Sequence, residues 1–120
     1  MNIQEFEKEF LFCFKKLKIN KNKNIYVTSN LTDISKIRIK KHKKLDLLYK
    51  CLTKSMGKNN SIFVPTATLN LCNSKIIFDI ENTASNNMGP FAEYIRHKKK
   101  SIRTIHPFWS ICGIGYNAKV

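Results

Sequence analysis

Three short runs of β-branched and aromatic residues punctuate this chain: Ile25-Tyr26-Val27, Ser61-Ile62-Phe63-Val64 and Trp109 to Ile114. Between them, apolar residues return every three or four positions, the period of one helix face. Strands that alternate with amphipathic helices bury their apolar faces against each other only in an α/β arrangement. The expected fold is therefore α/β, a mixed sheet flanked by helices. The chain has 120 residues, which allows one compact domain and little more.

Residues 3–18 read as the first helix, with Phe6, Phe10, Phe14 and Leu17 on one face. Asn20 to Asn24 is a polar break before the strand 25–27, and Thr28-Ser29-Asn30 suits a turn. Residues 35–44 hold the cations Lys36, Arg38, Lys40, Lys41, Lys43 and Lys44 together with His42. Leu45, Leu48, Leu52 and Met56 then mark a second helix, and Gly57 ends it. The strand 61–64 stops at Pro65, and Thr66-Ala67-Thr68 reads as a polar loop. Lys75 to Asp79 is either a peripheral strand or an extended segment. A loop over 82–90 leads to Pro90 at the first turn of a third helix, with Phe91, Tyr94 and Ile95 on its apolar face. Ile102 to Pro107 should be extended, because His106 precedes a proline. A final strand is expected over 109–114.

No apolar run approaches the roughly 20 residues that a membrane-spanning helix needs. The N-terminus lacks the basic-then-apolar order of a signal peptide, so the expected compartment is the cytoplasm. Cys13, Cys51, Cys72 and Cys112 are far apart in sequence, with no Cys-x-x-Cys and no His-x-x-x-His, so no metal is expected. They read as reduced thiols. The net charge is +14, but nineteen of the 22 cations are lysine and only Arg38, Arg96 and Arg103 are arginine. Nucleic-acid sites favour the guanidinium fork, so this excess reads mainly as a lysine-rich solvated surface. A basic module that binds a polyanion through residues 36–44 is the alternative.

The densest group of chemically distinctive residues is Arg103-Thr104-Ile105-His106-Pro107-Phe108-Trp109-Ser110. It reads either as a locally packed pre-proline segment or as a ligand-binding turn. In the second reading Arg103 meets a phosphate or carboxylate, and His106 or Ser110 hydrogen-bonds. Glu93, early in the third helix, reads as simple complement to the helix dipole. Gly113-Ile114-Gly115 lacks the third glycine of a dinucleotide fingerprint.

Thr83, Ser85, Met88-Gly89, Glu93 and Arg96, followed by Arg103-Thr104-Ile105-His106-Pro107 and Ser110, form an ordered series. It resembles the Thr-x-Ser-x-x-Met-Gly-x-x-x-Glu and Arg-Ser-x-His-Pro-x-x-Ser segments of the aminoglycoside 3-N-acetyltransferase family. Phe78-Asp79 before the series and Gly113-Ile114-Gly115 after it agree as well. Ile25 to Leu31 looks like that family's early strand and His-Ser-Ser-Leu turn, and Ile62 to Thr66 like its strand ending in Pro-Thr. The resemblance implies acetyl transfer from acetyl-CoA to an amine of an aminoglycoside or related amino sugar. It also implies that Thr28, Ser29, Asn30, Leu31, Arg103, His106 and Ser110 lie at the CoA site, with Arg103 pairing a phosphate or bracing the loop.

Thr104 stands in place of the Ser of the second segment, and the chain departs from the pattern more widely in three places. Thr28 and Asn30 stand where His and the second Ser are usual. Phe108-Trp109 replaces a common Thr-His pair. The family's catalytic His segment has no counterpart before Val120. Residues 1–120 are therefore expected to be the N-terminal part of a single, incomplete acetyltransferase domain, with the catalytic residues beyond Val120. His106 is the weak candidate base within the chain. An inactive remnant is the remaining alternative, and a severed domain would leave an unpaired strand edge and an uncovered apolar face.

Overall fold

In the computed structural model, the described residues are 2–21, 24–32 and 37–119. Asn22 and Lys23 of the polar break, Ser35 and Lys36 of the cationic stretch, and Val120 lie outside them. The chain divides into a helical unit, residues 1–23 and 30–60, and a sheet unit, residues 24–29 and 61–120.

The helical unit begins with α1, Ile3–Lys16. Asn2 caps it: its Oδ1 accepts from Glu5 N at 2.9 Å, and Glu5 Oε2 accepts from Asn2 N at 3.1 Å. This reciprocal box satisfies two donors that the first turn would otherwise leave open. Phe6, Phe10 and Phe14 form the expected stripe, with ring centroids 4.3 and 5.1 Å apart. The stripe packs with Ile37, Ile39, Leu47 and Cys51. Leu17 does not join it. It stands at the C-cap and is exposed, because the helix ends one residue earlier. The second helix, α2, spans Lys41–Met56, so Lys41, His42, Lys43 and Lys44 form its first turn. Lys40 precedes it without a side-chain cap, and Gly57 ends it at φ +76°. Leu45, Leu48, Leu52 and Met56 are buried, as are Leu47 and Cys51 on a second stripe.

The sheet unit holds β1 (Asn24–Tyr26), β2 (Ser61–Pro65), β3 (Ile102–Arg103) and β4 (Ile111–Gly115) in the order β1-β2-β4-β3. β1 runs parallel to β2, while β2–β4 and β4–β3 are antiparallel. The sheet is thus mixed, as expected. Register puts Ile25, Ile62, Val64, Cys112, Ile114 and Arg103 on one face. The short helix α3, Pro90–Arg96, packs against β2 and β4 and buries Phe91, Ala92 and Ile95. Pro90 occupies its first turn, where a missing N–H costs nothing.

The other sheet face carries Tyr26, Phe63, Pro65, Ile102, Ile111 and Gly113. There the Phe63 ring lies over Gly113, and a Cβ built at Gly113 would stand 2.7 Å from it. A 3-10 turn at Tyr116–Ala118 closes one end, with Asn117 N donating to Ser61 Oγ at 2.7 Å. Tyr26, Ile102 and Ile111 remain exposed on this face.

One expected strand changes its start, and one open alternative is decided. Among the described residues, Lys75 to Asp79 joins no ladder, and Ile76 and Ile77 are exposed. The last strand starts at Ile111, not Trp109, because Pro107 to Trp109 form a turn. No described helix is long and apolar enough to cross a membrane.

Candidate functional site at the His106 turn

The pairing of β2 with β4 continues past both strands. Thr66 N donates to Ser110 O at 3.0 Å, and Thr68 N donates to Phe108 O at 2.8 Å. Thr68 Oγ1 also donates to the Pro107 carbonyl. The segment first read as a polar loop, Thr66 to Thr68, is therefore a fully buried support for the turn.

Inside the turn, His106 Nδ1 accepts from Trp109 N at 3.0 Å and Phe108 N at 3.2 Å. An acceptor of two N–H groups carries no proton, so the neutral ring holds its hydrogen on Nε2. The ring itself is exposed. This side chain-to-backbone closure is what turns the chain at 107–109 and delays β4 to Ile111.

Arg103 sits behind the turn, 8% exposed. Its Nε donates to Ser110 Oγ at 2.9 Å and its Nη2 to the Thr66 carbonyl at 3.0 Å. Its Nη1 donates to the Ile80 carbonyl at 3.3 Å and also to the Thr83 carbonyl. The Phe78 ring covers the guanidinium, 4.9 Å from its carbon. Ser110 Oγ in turn donates to Thr66 O at 2.8 Å and stands 3.0 Å from Thr66 Oγ1. Burial pulls the Arg103 pKa below its ordinary value. Four of the five N–H groups on a buried guanidinium meet protein oxygens, which is the arrangement of a brace.

A second cluster, not anticipated from sequence, joins the loop before α3 to the helix. Glu93 Oε1 accepts from Ser85 N at 2.7 Å and Ser85 Oγ at 2.6 Å. Arg96 grips both Glu93 oxygens, with Nη2 2.8 Å from Oε2, and its Nη1 donates to the Glu81 carbonyl at 2.8 Å. Burial would raise the Glu93 pKa, but the Arg96 and Ser85 hydrogen bonds outweigh it and bring the carboxyl down to about 2. Helix-dipole complementarity is thus the lesser part of its role. The readable signal was a Glu and an Arg three apart on a helix. His97 caps the end of α3, its Nδ1 2.7 Å from the Glu93 carbonyl.

The early turn is placed differently. Thr28 is exposed and Ser29 half-buried at the end of β1. The Ser29 carbonyl lies against Gly89, which has φ +89° and where a Cβ would come within 3.1 Å of that oxygen. Asn30 and Leu31 belong to the helical unit, and Asn30 Oδ1 accepts from Thr32 N at 3.1 Å. The structure therefore brings Arg103, Ser110 and His106 into one support-and-turn assembly, and brings Ser29 to Gly89.

Burial raises the thiol pKa of Cys112 and of Cys51, so both favour the unreactive protonated form. Cys13 and Cys72 are exposed free thiols. Among the described residues, no three His, Cys, Asp or Glu side chains gather as metal ligands.

This mixed α/β fold is similar to several solved structures, among them an aminoglycoside acetyltransferase. TM-scores are 0.76 to YokD from Bacillus subtilis (16% identity), 0.75 to AAC-IIIb with CoASH (13%) and 0.72 to sisomicin-bound AAC-VIa (18%). The match takes in 93–94% of this chain but only 46–51% of those chains, so it spans about half their length. At such identities the likeness shows the fold. A sequence model of the aminoglycoside 3-N-acetyltransferase family matches residues 27–120, and the chain belongs to that family. No curated protein sequence matches it.

Proposed function

We propose that this protein takes part in acetyl-CoA-dependent N-acetylation of an aminoglycoside or related amino sugar. The observation that carries the reading is the braced turn, which lies within the stretch that the family model matches and holds Arg103, His106, Pro107 and Ser110 of the resembling segment. A related fold binds CoASH and another binds sisomicin.

The residues present suit CoA. His106 presents an Nε2–H donor on a rigid turn, and Thr28 an exposed hydroxyl. Residues 101–110 contain no carboxylate to repel phosphate. Thr28, Ser29 and His106 act as cofactor contacts, and Arg103 and Ser110 as positioning residues behind them. Asn30 and Leu31 keep their cofactor assignment by family resemblance alone.

Acetyl transfer forms an amide C–N bond and breaks the thioester C–S bond. The amine loses a proton and the thiol gains one. The proton needs an acceptor and the carbonyl oxygen needs donors. His106 does not serve as that acceptor through Nδ1, whose lone pair is held by two main-chain N–H groups.

The test is calorimetric titration with CoA, followed by an acetyl-transfer assay with acetyl-CoA and sisomicin. Saturable CoA binding and acetylation of an amine support the reading. Absence of both overturns it.

A further inference from the structure

The turn that holds His106 also displays the chain's single tryptophan. Trp109 is 64% exposed and its neighbour Ile105 85% exposed. Trp109 is not on a loose loop. Trp109 N is tied to His106 Nδ1, Phe108 O to Thr68 N, Pro107 O to Thr68 Oγ1, and Ser110 O to Thr66 N. A backbone held at four successive residues gives the indole a fixed base at little further cost in ordering entropy. Leaving an indole wet on such a base forgoes burial worth about 25 cal/mol per Å². A rigid turn that carries an uncovered aromatic ring is built to receive a flat partner.

We propose that Trp109 is an aromatic platform for the adenine ring of CoA, a role that rests on the CoA reading above. Charge selects this partner over the polycationic aminoglycoside. Residues 101–110 carry no acid, so a polyamine finds no carboxylate on the turn, while Arg103 stays buried behind it as the brace. A nucleotide brings negative phosphates and a purine with a wide π-face. Base–aromatic stacking needs no hydrogen-bond pattern, only an accessible ring in a fixed place. Trp109 stands where the family commonly has His, so the platform is a feature of this chain.

Because Trp109 is the only tryptophan, its fluorescence reports this event directly. Three probes separate the parts of CoA: CoA, adenosine 3′,5′-bisphosphate and pantetheine. The platform predicts saturable quenching by the first two and none by pantetheine. Trp109→Ala should weaken CoA binding, measured by calorimetry, by about 5- to 150-fold, the span of single base-stacking losses. Trp109→Phe should retain part of that loss. Neither variant should change the melting temperature, since the ring is exposed. CoA binding with unchanged Trp109 fluorescence, or with equal affinity in Trp109→Ala, overturns the platform and leaves the acetyl-CoA reading standing. Failure of CoA to bind at all overturns both. Quenching by pantetheine equal to that by CoA also overturns the platform.

Discussion

Arg103→Met should destabilise the protein by about 2–4 kcal/mol. The substitution keeps most of the stem and removes the fork. Four hydrogen bonds are lost: those to Ser110 Oγ, Thr66 O, Ile80 O and Thr83 O. Ser110 Oγ and Thr66 O keep each other at 2.8 Å, so they are not orphaned. The Ile80 and Thr83 carbonyls lose this donor, and an open buried acceptor costs about 1–3 kcal/mol. Both residues are half-buried, so the lower end applies to each. The lost charge-assisted bonds add to this, and relief from burying a cation subtracts. For a chain of this length 1 kcal/mol moves Tm by about 4 °C, so the expected fall is about 8–16 °C. Arg103→Lys should lose roughly half as much, because one ammonium reaches fewer of the four acceptors. Thermal melts followed by circular dichroism at neutral pH measure this, with CoA calorimetry on the same samples. A fall under about 4 °C, together with at least tenfold weaker CoA binding, would refute the brace and put Arg103 on a phosphate.

Three further outcomes follow from the same contacts. The Glu93 carboxyl titrates near 2 when folded and near 4.5 when free, so its stabilisation is complete above about pH 5. It fades as pH falls from 4.5 through 2, and Glu93→Gln should cost about 3 kcal/mol at pH 7 and flatten that acid limb in urea titrations. Gly113→Ala drives a methyl to 2.7 Å from the Phe63 ring, so the urea midpoint should drop by the equivalent of about 1–3 kcal/mol, with recovery in the Phe63→Leu background. Ser110→Ala leaves Arg103 Nε facing a methyl group, and calorimetric melting should show a loss of about 1–3 kcal/mol without any change in α-helix content.

Periodicity made the main elements legible. The phenylalanine stripe of α1, the leucine stripe of α2, Gly57 and Pro90 all sit where spacing and capping rules put them. The errors have local causes. Trp109 looks like strand by composition, but His106 Nδ1 captures two successive N–H groups and makes a turn. Leu17 has the right spacing for the apolar face and still falls one residue past the helix. In each case a hydrogen bond or a helix end outside the pattern window decides the outcome.

The family motifs acquire a physical meaning that their spelling does not carry. Ser85, Glu93 and Arg96 form one closed circuit that ends on the Glu81 carbonyl. Arg103, Ser110 and Thr66 form another that ends on the Ile80 and Thr83 carbonyls. Both circuits clamp the same stretch, residues 80–85, from two sides. Each clamp needs several donors diverging from one planar group, which an ammonium cannot supply. In a chain with nineteen lysines, two of its three arginines stand at these two places. Surface charge can drift toward lysine because solvated cations are interchangeable, while a fork gripping main-chain oxygens is not. The motif residues Ser85, Glu93, Arg96, Arg103 and Ser110 therefore hold loop and turn in shape, and the turn they support leaves the His106 ring and the Trp109 indole exposed.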